Sequence, residues 1–351
     1  MDDRFDLGLM LTDSLADWKA QLRRRFPAAP KMALDLLSSC CLPFALRFSL
    51  QLRRFHGRIA EAGLGEASRE LLERYYAGVS FRAEDARAEE LAGRGPVLVL
   101  ANHPGVVDSL ALMWALETRL GLRDYVVVAN DRDFFRAMPA IRDRLIPVPD
   151  DAAGRSAVLP AIEAALAAGR SVVLYPSGEI TNDPALAPEI YPYDSLLGAW
   201  SPSVGLLIAR ARRRAPGLAV LPLVCGGVLP PRSADARWMG SKRSRREREA
   251  LAVAAILAFG AGRRATVAVR AGRPIRAATD LAGLAPKELG AAVYARAAAT
   301  AGALARELRS AEGFQDPPEK AAATADSYAG KVLDREMAAS AASAPTIDGP
   351  R

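Results

Sequence analysis

Gly95-Pro96-Val97-Leu98-Val99-Leu100-Ala101-Asn102-His103-Pro104-Gly105-Val106-Val107-Asp108 is the stretch on which the reading of this chain turns. Its first part is a continuous apolar run opened by Gly95-Pro96, the pattern of a strand buried on both faces. Asn102 and His103 follow that run directly. Pro104-Gly105 then breaks the chain direction, and a helix is expected from about Val107 to Leu120, closed by Gly121. Functional groups of open α/β sheets gather at the carboxyl ends of strands, where His103 falls. His103 and Asp108 are five positions apart, which would separate them around a continuous helix. They meet if His103 sits in the turn and Asp108 in the first helical turn. The carboxylate then accepts the imidazole N–H, sets the tautomer and raises the basicity of the other nitrogen. The plainer alternative is a structural histidine at a strand end beside an acid that stabilises a helix N-terminus.

Working outward, Tyr125–Val128, Leu145–Val148, Val172–Tyr175, Leu218–Val224 and Thr266–Val269 read as further strands. Helical spacing recurs around residues 133–144, over Ser156–Ala168 with Gly169 closing it, and over Val204–Arg213. Strands alternating with helices at this interval imply an α/β fold: a mixed, largely parallel sheet flanked by helices. Residues 1–90 read as an N-terminal helical lobe, with apolar spacing through Leu34, Leu37, Cys41, Phe44 and Phe48. The expected organisation is that lobe, an α/β domain over 91–280, a C-terminal helix over 281–313 and a loosely ordered tail over 314–351. Pro222 inside an apolar strand suggests a sheet edge or a strand end beside a pocket.

The chain has 351 residues with 47 Lys and Arg against 40 Asp and Glu, a formal charge of +7 and a pI near 9.5. Nearly all of the excess is arginine, which fits either coding bias or an anionic partner. The clusters Arg23-Arg24-Arg25, Arg212-Arg213-Arg214 and Lys242–Arg248 are not interleaved with aromatics, and no nucleic-acid-binding motif is present. Three cysteines exclude a disulfide scaffold, and two histidines, His56 and His103, exclude a histidine-rich metal site. His56 lies in the basic run Arg53-Arg54-Phe55-His56-Gly57-Arg58 and reads as a surface or packing residue. No apolar run reaches the ~20 residues of a spanning helix. The acidic start Met1-Asp2-Asp3-Arg4 lacks signal-peptide order. A cytoplasmic protein is expected, peripheral at most on the inner face of the membrane, with the helix around Leu36–Leu52 and the basic run Arg243–Arg248 as contacts.

Two further turns follow strands. Tyr175-Pro176-Ser177-Gly178-Glu179 makes a bend that brings backbone N–H groups toward a substrate, or is an ordinary strand exit. Leu221-Pro222-Leu223-Val224 is the other. An apolar strand, Asn-His-x-x-x-x-Asp, a strand followed by Pro-x-Gly, and a short strand centred on Leu-Pro together resemble the glycerolipid acyltransferase superfamily. That superfamily includes lysophosphatidic acid and glycerol-3-phosphate acyltransferases. The resemblance covers about residues 94–276. Trp200–Ala209, with Gly205, resembles the family's aromatic-then-glycine helix, and Arg270-Ala271-Gly272-Arg273-Pro274-Ile275 its closing strand and turn.

The resemblance implies that His103 is the general base for an acceptor hydroxyl or amine and that Asp108 orients it. It implies an acyl thioester of coenzyme A or acyl carrier protein as donor, a lipid-like acceptor, no cofactor, no metal and no covalent acyl-enzyme. No Gly-x-Ser-x-Gly elbow is present, in keeping with that. Asn102, Ser177, Gly178 and Glu179 are the expected substrate-binding residues, with backbone groups near Ser177 and Gly178 as donors to the developing oxyanion. The family's usual Pro-Glu-Gly-Thr-Arg is replaced by Pro176-Ser177-Gly178-Glu179-Ile180. The arginine usual after the second short strand is replaced by Pro149-Asp150-Asp151. Arg144 and Arg155 are the candidate substitutes for phosphate recognition; otherwise they are surface charges. A non-phosphorylated acceptor is therefore expected. The alternatives are a conventional 1-acylglycerol-3-phosphate acyltransferase, or a non-catalytic lipid-binding protein of the same fold.

Overall fold

A computed structural model describes residues 5–25, 30–33, 35, 42–88, 90–91, 94–105, 107–130, 135, 137–149, 151–187, 192–229, 256 and 261–311. The expected tail over 314–351, the runs Lys242–Arg248 and Arg243–Arg248, and most of the Leu34–Phe44 pattern lie outside the described residues.

One eight-stranded sheet organises the chain. Its strands are β1 (Gly78–Ala83), β2 (Val97–Ala101), β3 (Tyr125–Asn130), β4 (Leu145–Val148), β5 (Ser171–Leu174), β6 (Ala219–Gly226), β7 (Thr266–Ala271) and β8 (Ile275–Arg276). The order is β1-β7-β6-β2-β5-β3-β4, with β8 beside β6. The pairs β6·β2, β2·β5, β5·β3, β3·β4 and β1·β7 are parallel, and β7 and β8 meet β6 antiparallel. β2 lies mid-sheet, which is why Val97–Ala101 carries no polar side chain: both of its faces are covered.

The described helices are α1 (Leu7–Arg25), α2 (Leu42–Ala62), α3 (Leu64–Tyr75), α4 (Asp108–Trp114, running into a π turn over Ala115–Arg119), α5 (Pro139–Arg142), α6 (Ala152–Ala167), α7 (Ser203–Arg214) and α8 (Pro286–Ala311). Alternation along β2 sorts them into two layers. Val97, Val99 and Ala101 join a core with Leu64, Leu72, Leu112 and Leu116, whereas Leu98 and Leu100 join Ile162, Leu166, Leu207 and Ile208. So α3 and α4 cover one face, and α6, α7 and α8 cover the other. Gly205 has a packing role between α7 and α8: a Cβ there would strike the Pro286 carbonyl at the start of α8.

Two expectations need correction. Residues 1–90 are not all helical, because Gly78–Ala83 forms edge strand β1. Its signal is a six-residue alternation: Val79, Phe81 and Ala83 pack on the core while Ser80 and Arg82 are exposed. Pro222 is not at an edge either, since β6 has partners on both sides. Its carbonyl accepts from Gly272 N–H at 2.9 Å on the β7–β8 side. The missing Pro222 donor therefore faces the bend where β6 changes partner from β8, at Ala219 and Val220, to β7, from Leu223. Pro147 lies in the true edge strand, β4.

The arginine cluster on α7 is largely structural. Arg210 and Arg214 pair with the fully buried Glu163 of α6 at 2.7 and 3.5 Å, and Arg212 donates to the Leu281 carbonyl at 2.7 Å.

Candidate active site

β2, β5 and β6 run parallel, so the segments after Ala101, Leu174 and Gly226 emerge on one edge of the sheet. His103 leaves β2, the chain turns at Pro104-Gly105, and Asp108 opens α4. The turn folds the side chains together: His103 Nδ1 lies 2.8 Å from Asp108 Oδ2. The Asp108 side chain is fully buried, while that of His103 stays 30% exposed. Asp108 Oδ1 accepts from the Ser109 N–H at 2.8 Å, which holds the carboxylate at the helix start. When Nδ1 carries the proton toward the carboxylate, this arrangement leaves Nε2 as the ring nitrogen able to accept one.

The backbone of His103 is clamped from the chain that follows β5. Thr181 N–H donates to the His103 carbonyl at 2.7 Å, and Thr181 Oγ1 accepts from the His103 N–H at 3.1 Å. Asn182 donates to Ser195 Oγ at 2.8 Å. Asp183 accepts from the backbone N–H groups of Ala185 at 2.9 Å and of Gly227 and Leu229 at 2.8 Å each. Thr181, Asn182 and Asp183 are all buried. Burial pushes the Asp183 carboxyl up, and these N–H donors partly oppose it. Tyr76, at the end of α3, donates to the Val228 carbonyl at 2.8 Å. Burial, with the Asp108 and Asp183 carboxylates, pushes the Cys225 thiol up, so it remains protonated rather than a thiolate nucleophile.

Tyr175 completes the neighbourhood. Its ring lies 4.9 Å from the His103 ring between centroids, tilted by 42°. Its hydroxyl and Ser109 Oγ are 3.0 Å apart. Burial pushes the Tyr175 phenol well up, with the Asp108 carboxylate adding to this, so it stays neutral.

The other expected residues divide. Asn102 stands beside His103 but is buried, and its amide grips the β6 backbone. It donates to the Cys225 carbonyl and accepts from the Cys225 N–H, both at 2.8 Å. It is a strand-end clamp rather than an open substrate contact. Ser177, Gly178 and Glu179 form the turn after β5, on the site's edge of the sheet. Gly178, at φ +62°, donates its N–H to the Tyr175 carbonyl at 3.0 Å, and the Glu179 N–H donates to Ser177 Oγ at 3.3 Å. Those two N–H groups are engaged inside the turn.

Arg144 is not part of the site. Leu145 is level with Val127, Val173 and Val99. Arg144 therefore stands level with Leu98, three strands from β2, roughly 20 Å from His103 by strand rise and spacing. There it pairs with Glu117 at 2.8 Å and lies over the Tyr125 ring. Arg155 is exposed in the first turn of α6, beyond edge strand β4. Asp151 caps that helix by accepting from the Gly154 N–H at 2.7 Å. Asp150 lies outside the described residues.

Sequence reasoning missed Tyr175 as a site residue, along with Ser109, Thr181 and Asp183. Asp183-Pro184 carries a readable capping signal, a cap acid before a first-turn proline. Nothing local announces that Thr181 reaches His103. Among the described residues no cluster of three His, Cys, Asp or Glu side chains is placed to hold a metal ion.

Compared with known families, residues 82–225 match the family described as Acyltransferase. Among solved structures, the chain is similar to the 1-acyl-sn-glycerophosphate (LPA) acyltransferase PlsC from Thermotoga maritima. Identity is 12%, with 71% of this chain and 86% of that chain covered and a TM-score of 0.38. A search of curated proteins gave no match.

Proposed function

We propose that this protein transfers a fatty acyl group from a thioester of coenzyme A or acyl carrier protein to a hydroxyl or amine of a lipid-like acceptor. The 2.8 Å contact between His103 Nδ1 and the buried Asp108 carboxylate carries the reading. His103 Nε2 takes the acceptor proton as the acceptor oxygen or nitrogen attacks the thioester carbonyl. The tetrahedral intermediate then collapses, its C–S bond breaks, and the imidazolium returns the proton to the departing thiolate. Asp108 holds the tautomer and balances the transient imidazolium charge. No enzyme-bound acyl group forms. The test is release of free thiol from acyl-coenzyme A by purified protein in the presence of a membrane lipid extract. Absence of lipid-dependent release with both coenzyme A and carrier-protein donors would overturn the reading.

The acceptor we propose lacks a phosphate monoester. Recognition of a dianionic phosphate normally takes arginine or lysine in a shaped site. Ile180 stands where the family places one arginine, Arg144 is committed to Glu117 at a distance, and Glu179 adds an exposed carboxylate to the turn. In competition, a non-phosphorylated lysolipid is expected to be acylated at least ~10-fold faster than lysophosphatidic acid, about 1.4 kcal/mol in the barrier. Selective acylation of lysophosphatidic acid would reverse this part and turn attention to Arg155.

The same reading includes peripheral attachment to a membrane. No described helix is long and apolar enough to cross one. On α2, Leu42, Leu46 and Leu50 are 43%, 41% and 40% exposed at four-residue spacing, with Arg47, Arg53 and Arg54 exposed on the same helix. Leucines beside arginines suit an anionic lipid surface. Anionic vesicles are expected to bind the protein. Binding should weaken as 1 M salt shortens the screening length to ~3 Å, and again in the Leu46→Asp, Leu50→Asp double variant. Binding indifferent to both changes would remove this surface from the account.

A further inference from the structure

Four groups close a ring around the proposed base. His103 Nδ1 meets Asp108 Oδ2, Asp108 Oδ1 accepts from the Ser109 N–H, Ser109 Oγ bonds the Tyr175 hydroxyl, and the Tyr175 ring returns to lie against the His103 ring. Three of these residues come from one short segment. Tyr175 comes from the end of β5, the strand beside β2, and closes the ring by tertiary contact alone. We propose that Tyr175 is a positioning residue for His103: its ring braces the imidazole against Asp108 and stabilises the imidazolium, and its hydroxyl holds that ring in place through Ser109.

The physics has two parts. A cation within about 6 Å of an aromatic centroid is attracted by the ring, and the imidazolium formed on proton transfer lies within that range. An imidazole free to swing would lose alignment with both Asp108 and the acceptor, and misplacement of a reacting group is costly in rate. The hydroxyl is enclosed and neutral, so it acts as an anchor rather than as a second acid. The inference deepens the acyl-transfer reading, since it takes His103 as the base. The other titratable groups nearby are Asp108 from α4, Tyr76 from the end of α3, Asp183 after β5, Cys225 from β6 and the exposed Glu179. All of them stay in place in the variants below.

With only His56 and His103 in the chain, the full-length protein suits histidine NMR, with His56→Ala assigning the signals. In the unmodified protein, ring protons of His103 and Tyr175 should show a direct nuclear Overhauser contact. Removing the ring destabilises the imidazolium, so Tyr175→Leu should lower the His103 titration midpoint by about half a unit. Tyr175→Phe keeps the ring and should retain most of that midpoint. In the thiol-release assay, the acid limb of kcat/KM should move to lower pH in Tyr175→Leu, with kcat reduced about tenfold and KM little changed. Tyr175→Phe should recover most of kcat. An absent ring-to-ring contact in the unmodified protein overturns the proposal whether or not a variant folds. So does an unchanged His103 midpoint in folded Tyr175→Leu, or a KM rise with kcat intact. If the midpoint shifts as expected but no donor yields thiol release, the bracing stands and the acyl-transfer reading falls.

Discussion

His103→Ala is expected to reduce acyl transfer by on the order of 10²–10⁴-fold, the contribution typical of a positioned general base. The fold should survive, because the backbone bonds that anchor this residue do not involve the imidazole. Thr181 holds the His103 N–H and carbonyl, and both bonds remain in the alanine variant. The imidazole itself is 30% exposed, so its loss opens no closed cavity in the core. Thiol release and the thermal unfolding midpoint should therefore part company, the first collapsing and the second moving little. His56→Ala is the matched control. His56 lies on α2 against Phe5, with ring centroids 5.9 Å apart, and activity should stay within about twofold. A folded His103→Ala protein with near-full activity would refute the mechanism.

Asp108→Asn is expected to be nearly as severe, again on the order of 10²–10⁴-fold in kcat, although it removes no heavy atom from the site. Two donors converge on the carboxylate: the Ser109 N–H on Oδ1, and His103 Nδ1 on Oδ2. An asparagine matches only one of them. If its carbonyl oxygen faces Ser109, its NH₂ faces His103 Nδ1 and selects the tautomer with the proton on Nε2, which is unable to accept from substrate. If it flips, its NH₂ opposes the Ser109 N–H at the start of α4. Either way the negative charge that balances the imidazolium is gone. Asp108→Asn should also lower the His103 titration midpoint, because a buried opposite charge favours the protonated ring. Preserved kcat in Asp108→Asn would mean that the carboxylate serves only the helix start.

The local part of this site could be read from the chain because its geometry is local. An apolar run long enough for one strand, a Pro104-Gly105 break and an acid opening the next helix leave few ways to place His103 relative to Asp108. All the atoms concerned lie within six consecutive residues. The same holds for α6, where only the start differed: Asp151 caps it, so the helix begins at Ala152 rather than Ser156. Alternation and helical periodicity also supplied the α/β class, since covered strands must be apolar throughout and covering helices must show a 3.6-residue stripe.

What the sequence by itself determined, then, was the class of fold, the strand-end position of His103 and its reach to Asp108. Tertiary structure alone decided the rest, because strand order and burial arise from contacts between distant segments that local pattern does not encode. The pairing of β2 with β5 brings Tyr175 to His103 and lets Thr181 clamp its backbone. The pairing of β2 with β6 gives Asn102 its partner in Cys225, and the same edge gathers the N–H groups of Gly227 and Leu229 around Asp183. Arg144, only a few dozen residues from His103 in the chain, was carried to the far side of the sheet by the direction of β4. Pro222 escaped the edge because its missing donor faces the bend where β6 exchanges one antiparallel partner for another. A charge or a buried polar group takes its role from what the fold sets against it, and for these residues that partner lies many positions away.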